Sequence, residues 1–118
     1  MRLNEVGYSG LLPVEGYGPG FFRIGGQVWQ GAVLLQPEQV SPWGGYEELA
    51  PLLALRGAVD VLFVGTGAEI APLPRPFRTA LEEAGIGVEM MASPTACRSY
   101  NVTLSEGRRV AAALLPVD

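Results

Sequence analysis

The stretch AVDVLFVGTG, residues 58–67, decides the fold. Residues 59–64 are nearly all apolar, which is typical of a central strand covered on both faces. A proline-rich segment leads to a predicted helix that begins near Pro76 and ends at Gly85, and IGVEMM at 86–91 predicts another strand. The apolar stripe of this helix consists of Phe77, Ala80, Leu81 and Ala84. A strand, a helix and a strand in this order predict a parallel, right-handed unit and the α/β class.

The residues that follow predict one more helix and one more strand. Ser93 and Pro94 match the N-cap and the first position of a helix, and Gly107 matches its end. RVAAALLPV, residues 109–117, then predicts a closing strand. We therefore expect a single compact domain in which helices flank a central sheet.

The N-terminal third has the signals of a β-hairpin. Gly25 and Gly26 separate two β-rich segments, and a type I′ turn needs a positive φ at both of its central positions. The predicted strands cover residues 21–24 and 27–36, with Gly31 as a candidate β-bulge in the second.

Residues 1–20 show no periodicity. They contain five glycines and two prolines, a composition that predicts an extended or loosely ordered arm. We therefore divide the chain into an N-terminal arm, residues 1–14, and one α/β domain, residues 15–118.

Composition and charge exclude several classes of function. At 118 residues, of which 48% are apolar, the chain has the size and composition of one globular domain. Its net charge is −4, whereas proteins that bind nucleic acid or anionic membranes present basic surfaces. We therefore expect no nucleic-acid partner.

The chain has no histidine and a single cysteine, Cys97. A histidine-based catalytic triad, a Cys-His pair and a structural zinc site are therefore impossible within one chain. Oxygen-ligated magnesium or calcium is the one metal class left open, but no acidic loop has the spacing of an EF-hand, so we expect neither a metal nor a cofactor. No apolar run approaches the roughly 20 residues that span a bilayer, and the N-terminus shows no signal or transit peptide. These features predict a cytoplasmic protein without an integral membrane segment.

Gly65, Thr66 and Gly67 form the first candidate site, because ligand loops often follow the strands of open α/β sheets. Ile70 stands where a dinucleotide-binding fingerprint has its third glycine, and no Lys-Ser/Thr pair follows as in a phosphate-binding loop. We favour a tight turn at the end of the strand. A ligand loop is the alternative.

The start of the last helix is predicted to lie beside that turn, because parallel neighbouring strands end at the same edge of the sheet. We call residues 65–67 and 93–98 together the strand-end corner. The free N–H groups of a helix start, with Thr95 and Arg98 nearby, suit a small anion. The positive electrostatic potential of this helix start would also lower the pKa of Cys97 and activate its thiol. Its place on the apolar stripe favours a buried, structural thiol instead.

Asn101 lies on the apolar stripe of the same helix. A buried amide needs partners, because leaving one unpaired costs about 1–3 kcal/mol. We favour a structural role, in which the amide holds a neighbouring loop or strand, over contact with a ligand. Glu106 and Arg108, on either side of the glycine that ends the helix, are typical of a solvated turn.

Three segments together resemble one known family, namely EGYGPGFFRIGGQVWQGAVLL (15–35), VLFVGTG (61–67) and TACRSYNVTLSEGRRVAAAL (95–114). Gly-Tyr-Gly before a Phe-containing strand, Gly-Thr-Gly after an apolar strand and Thr-Ala before Tyr-Asn have the order and spacing of the Mth-like domain family. That family includes a mitochondrial assembly factor of respiratory complex I and many bacterial proteins of unknown function. The resemblance covers residues 15–115.

The resemblance implies a three-layer α/β domain with a mixed central sheet, and it implies no established enzyme activity. It also implies protein partners, with respiratory-complex subunits or assembly factors as candidates, and a bacterial setting because no targeting extension is present. The family's motif positions mark these candidate functional residues: Gly65, Thr66, Gly67, Thr95, Ala96, Asn101, Glu106 and Arg108. We expect a non-catalytic interaction or assembly module. The alternative is a small-molecule or anion binder, or a weak enzyme, at the strand-end corner.

Overall fold

The computed structural model describes residues 10–118. The strands in this range are β1 (Val14–Gly18), β2 (Phe21–Ile24), β3 (Gln27–Gln30), β4 (Val33–Gln36), β5 (Gln39–Pro42), β6 (Val61–Gly65), β7 (Val88–Met91) and β8 (Val110–Leu114). The helices are α1 (Ala50–Leu53), α2 (Arg75–Glu83) and α3 (Ser93–Ser105), and a 3-10 turn covers Gly45–Glu47. The predicted α/β class is confirmed.

The central sheet has five strands in the order β5-β4-β8-β6-β7. It is mixed, because β6 pairs in parallel with β7 and β8, whereas β4 is antiparallel to β5 and β8. The chain passes from β6 to β7 through α2 and then returns across β6 to β8 through α3. Right-handed connections in opposite directions put the two helices on opposite faces of the sheet.

Both faces of this sheet are covered, and alternate side chains of β6 enter two different cores. Phe63 packs with Tyr100 in the core beneath α3 and a second, three-stranded sheet made of β1, β2 and β3. Leu62 packs with Phe77 of α2 in the core on the other face. All residues of β6 and β8 are buried, which explains the nearly continuous apolar runs in their sequences.

The extended or loosely ordered arm predicted for residues 1–20 is extended in its second half, where it is an ordered strand of a sheet. Residues 1–9 lie outside the described range, but Val14–Gly18 forms β1, antiparallel to β2. The alternation of a strand is hidden in the sequence because Gly16 and Gly18 carry no side chains and a β-bulge interrupts the pairing. The proposed boundary between an N-terminal arm (residues 1–14) and the α/β domain (residues 15–118) stays a prediction. Strand β1 begins at Val14, the last residue of that arm.

The predicted hairpin is confirmed, because β2 pairs with β3 across Gly25 and Gly26, whose φ angles are 62° and 76°. The single strand predicted for residues 27–36 is wrong. The chain turns at Gly31, which has a φ of 81°, and β3 and β4 belong to different sheets. The glycine is therefore the point where the chain leaves one sheet for the other, and it is not a bulge within a strand.

Candidate functional site

The turn after β6 and the start of α3 meet at the strand-end corner, as predicted. Gly65 lies beside Met91 in the parallel register. The N–H of Thr66 donates to the carbonyl of Met91 at 2.9 Å, and the N–H of Ser93 donates to the carbonyl of Gly67 at 2.8 Å. The two segments are therefore joined directly through their backbones.

The side chain of Ser93 lies at the centre of the corner and is fully buried. Its hydroxyl accepts a hydrogen bond from the N–H of Gly67 at 2.9 Å and donates one to the carbonyl of Leu115 at 2.6 Å. Its predicted N-cap role is wrong, because the N-cap residue of α3 is Ala92, which makes no side-chain cap hydrogen bond. A Cβ at Gly65 would lie 2.6 Å from the serine oxygen, so the absence of a side chain lets β6 and α3 come this close.

The loop after β6 bends at residues 67–69, and its hydrogen bonds within the protein agree with the favoured interpretation of Gly65-Thr66-Gly67 as a turn at the end of the strand. The hydroxyl of Thr66 donates to the carbonyl of Glu69 at 2.8 Å and accepts from the N–H of Ala71 at 3.1 Å. Gly67 has a φ of 107°, which favours glycine. Thr95 is exposed on the first turn of α3. The polar groups of this loop are used within the protein, and a ligand at the corner stays a prediction.

Cys97 points into the core beneath α3 and is 4% exposed. Burial raises the pKa of its thiol to about 12, and the nearby positive charge of Arg98 opposes this shift only weakly. A thiol with this pKa is protonated at neutral pH and is a poor nucleophile. The geometry therefore supports the structural interpretation of Cys97.

The amide of Asn101 bonds to the backbone of β1, 87 residues away in sequence. Its Oδ1 accepts from the N–H of Val14 at 2.8 Å, and its Nδ2 donates to the carbonyl of Val14 at 2.9 Å. One side chain thus satisfies both backbone groups of one strand residue, as a neighbouring strand would. The predicted structural role of the amide is confirmed.

Arg98 and Arg108 line a groove that the sequence did not predict. This groove, which we call the outer groove, has a volume of about 480 Å³ and lies between α3 and the β6–β7 part of the sheet. Its lining includes Val61, Phe63, Glu89, Arg98, Val102 and Arg108. The one sequence signal for it was Val102, an apolar residue four positions after Arg98 and off the buried stripe of the helix.

The turn after α3 is exposed at Glu106 and Arg108, as predicted. Beside it, the guanidinium of Arg109 donates to the carboxylate of Asp60 at 2.7 Å, and this hydrogen bond lowers the pKa of Asp60. Sequence reasoning missed this pair, whose members are 49 residues apart. Both side chains are exposed, so the ion pair is a surface feature of little energetic weight.

Residues 10–118 contain neither a cluster of metal-binding side chains nor a membrane-spanning helix. No three Asp, Glu and Cys side chains in this range lie close enough together to hold a metal ion. The helices in the same range are too short or too polar to cross a membrane.

Comparison with known proteins identifies relatives over nearly the whole chain. The family described as "Protein of unknown function (DUF498/DUF598)" matches residues 14–115. An uncharacterized protein from Rhodobacter capsulatus is 52% identical over 117 residues, which cover 99% of this chain and 94% of that protein. The zebrafish (Danio rerio) protein named NADH dehydrogenase [ubiquinone] 1 alpha subcomplex assembly factor 3 is 32% identical over 87% of this chain. The aligned part spans 63% of that assembly factor's own length.

Two solved structures are similar in fold and sequence. The crystal structure of an outer membrane protein from Bartonella henselae has a TM-score of 0.82 and 32% identity, covering 94% of this chain and 99% of that one. The solution structure of a Bordetella pertussis protein described as a Mth938-like domain has a TM-score of 0.76 and 27% identity, covering 98% and 92%. The predicted family resemblance is thereby confirmed. This chain belongs to the DUF498/DUF598 family of proteins of unknown function and has the Mth938-like fold.

Proposed function

We propose that this chain is a non-catalytic, protein-binding module that assists the assembly of respiratory complex I from the cytoplasmic side of a bacterial membrane. The observation that carries this proposal is the 32% identity to an NADH dehydrogenase assembly factor across 87% of this chain. The family model spans residues 14–115, which contain the whole central sheet, so the unit shared within the family is the folded domain itself. Its partners in this role are complex I subunits or other assembly factors.

The geometry of the strand-end corner supports a role without catalysis. A catalytic side chain must reach the reacting atoms of a substrate. The hydroxyls of Thr66 and Ser93 and the amide of Asn101 are instead bonded to the protein's own backbone. The buried thiol of Cys97 is protonated at neutral pH. These side chains stabilise the domain, and its exposed surfaces are left for recognition.

Gene deletion in the native host tests this function. We expect the deletion to lower the amount of assembled complex I, measured in native gels of membranes and as NADH:quinone activity, and expression of the wild-type chain to restore it. Complex II activity in the same membranes is the control for general damage. Unchanged complex I after deletion would contradict the proposal.

A further inference from the structure

Within residues 10–118, the outer groove is an uncovered strip of the face on which α3 lies. Helix α3 packs over β6 and β8, and β7 is the outermost strand of the sheet. Phe63 and Glu89 are partners in the parallel register, so their side chains lie on the same face. Phe63 is buried at the floor, whereas Glu89 is exposed at the outer side. The groove is therefore walled by the helix on one side and open along β7 on the other.

The charges of the outer groove favour an acidic occupant. Arg98 and Arg108 are exposed, and neither guanidinium has a hydrogen bond or an ion pair within the described structure. Glu89 contributes one negative charge, so the groove carries a local excess of positive charge in a chain whose net charge is −4. Val102, which is 55% exposed, supplies an apolar wall between the two arginines.

The two arginines stand at opposite ends of the groove. Helix α3 runs antiparallel to β7, because it returns the chain to the start of the parallel strand β8. Arg98 lies in its first half and Arg108 follows its end, and residues 98–105 alone rise about 10 Å at about 1.5 Å per residue. In an extended segment, positions i and i+4 point to the same side and are about 13 Å apart. Acidic residues at those two positions are therefore spaced on the same scale as the two arginines along the helix axis.

The edge of β7 offers backbone groups to such a segment. The carbonyls of Gly87 and Met91 accept hydrogen bonds from β6 and its following turn. Because the backbone alternates direction along a strand, the N–H and C=O groups of Val88 and Met90 point away from β6, toward the open edge. An extended peptide that pairs with them would place alternate side chains beside Glu89, over the groove.

We propose that the outer groove binds an extended segment of a partner protein with the pattern acidic–x–apolar–x–acidic, which adds as a strand to the edge of β7. The two carboxylates pair with Arg98 and Arg108, and the apolar side chain between them covers Val102 and Phe63. The segment, and not a small molecule, is the occupant because the groove is open along its length, whereas small-molecule sites enclose most of their ligand. This inference rests on the proposed function as a protein-binding module.

A peptide titration followed by NMR tests the groove directly. The probe is the peptide acetyl-Glu-Thr-Leu-Thr-Glu-amide, added up to about 10 mM to isotope-labelled protein, since a short peptide is expected to bind with millimolar affinity. We expect saturable shifts of the amide signals of residues 88–91 and 98–103. The peptide with Gln in place of both Glu residues is expected to bind about fivefold more weakly. No saturable shift, or equal binding of the two peptides, would overturn the inference.

Matched variants assign the effect to the two arginines. The double variant Arg98→Gln/Arg108→Gln is expected to bind the acidic peptide about fivefold more weakly. The control Arg56→Gln/Arg75→Gln changes the charge equally at two exposed arginines near α1 and α2, outside the groove, and is expected to bind as the wild type does. A similar loss in both double variants would show a general charge effect and would overturn the inference. The dispersion of each NMR spectrum confirms that the variant is folded.

Affinity purification from the native host separates failure of this inference from failure of the proposed function. Complex I subunits recovered with the wild type and the Arg56→Gln/Arg75→Gln control, but lost with the groove variant, would support both. Equal recovery with all three chains would leave the proposed function standing and overturn the groove as its site. If no chain recovers complex I subunits, the proposed function is contradicted, and the peptide titration alone decides whether the groove binds acidic segments.

Discussion

The two sides of helix α3 differ in how their polar groups are used. On the inward side, the amide of Asn101 forms two hydrogen bonds to Val14, and Cys97 is enclosed in the core. On the outward side, Arg98 has no hydrogen bond or ion pair in the described structure, and Val102 is 55% exposed. These residues are immediate neighbours in sequence. They differ in role because each residue rotates about 100° around the helix axis relative to the one before.

This difference indicates which changes affect folding and which affect recognition. An inward polar group that loses its hydrogen-bond partner stays buried without one. The cost of its desolvation therefore lowers the free energy of unfolding. An outward group is already hydrated, so its removal has little effect on the fold and a direct effect on a partner. We therefore expect substitutions on the inward side to lower stability, and substitutions on the outward side to weaken partner binding with little effect on stability.

The largest expected effect lies at the corner where α3 begins. In Gly65→Ala, the new Cβ would stand 2.6 Å from the Ser93 Oγ and 2.9 Å from its Cα. The helix start or the strand must move, and we expect a loss of about 3 kcal/mol in the free energy of unfolding, measured by urea denaturation. Gly16→Ala is the control, because its Cβ would meet nothing within 4 Å. Equal stability of the two variants would show that the corner is not tightly packed.

The next largest effect is expected at the amide of α3. Asn101→Ala removes both partners of Val14, and we expect a loss of about 2 kcal/mol in the free energy of unfolding. Hydrogen exchange at the N–H of Val14 should accelerate more than exchange in β8. Val102→Ala, one position further along the helix, serves as the control and should cost little. If Asn101→Ala is as stable as this control, the inward side is not what joins β1 to the helix.

The thiol on the inward side makes stability depend on alkaline pH. Burial raises the pKa of Cys97 to about 12, so the folded chain keeps its thiol proton at a pH where the unfolded chain loses it. The stabilisation is fully present below the ordinary thiol pKa of about 8.5–9 and is lost progressively as the pH rises toward 12, by on the order of 1 kcal/mol at pH 10. Urea denaturation from pH 7 to 10.5 should show a shallower decline in Cys97→Ala. Identical declines of the free energy of unfolding with pH in the wild type and in Cys97→Ala would contradict a raised pKa of Cys97.

A smaller effect of opposite sign is expected at Tyr100. Its side chain is fully buried, and its hydroxyl has no hydrogen-bond partner in the described structure. Replacing a buried, unpaired hydroxyl by hydrogen removes a desolvation cost. We therefore expect the free energy of unfolding of Tyr100→Phe to equal that of the wild type or to exceed it by about 1 kcal/mol. Thermal unfolding measures this. A clear loss of stability would mean that the hydroxyl has a partner, such as a buried water.

The smallest effect on stability is expected on the outward side. Arg98→Gln/Arg108→Gln removes two exposed charges that have no bonded partner among residues 10–118, so we expect the free energy of unfolding to change by less than about 0.5 kcal/mol. Urea denaturation beside the wild type is the measurement. A loss above about 1 kcal/mol would mean that these arginines support the fold, and the distinction between the two sides of α3 would fail.

Local patterns predicted those parts of the fold in which neighbouring residues carry the whole signal. The run 59–64 indicated a strand buried on both faces, and Gly85, with a φ of 79°, ends α2 as expected. Even the partnered state of Asn101 followed from its place on an apolar stripe. Its partner did not, because nothing near residue 101 specifies Val14, 87 positions earlier.

The sequence failed where structure depends on distant contacts. Gly31 was interpreted as a bulge because its neighbours on both sides favour strands, but those strands pair in different sheets. Ser93 has the local pattern of an N-cap, yet its hydroxyl bonds to Gly67 and Leu115. In each case the local sequence is compatible with two arrangements, and tertiary packing determines which of them forms.

By itself, the sequence determined the class of the fold, the β6-α2-β7-α3-β8 order, the family, and the absence of histidine chemistry. These follow from residue types and periods, which act over a few positions. Only the tertiary structure decided that the corner is closed by Ser93, that Cys97 is buried with a raised pKa, and that Arg98 and Arg108 flank one groove beside a strand edge that is open within residues 10–118. Such features require residues far apart in sequence to meet, and chain connectivity alone does not specify the meeting point.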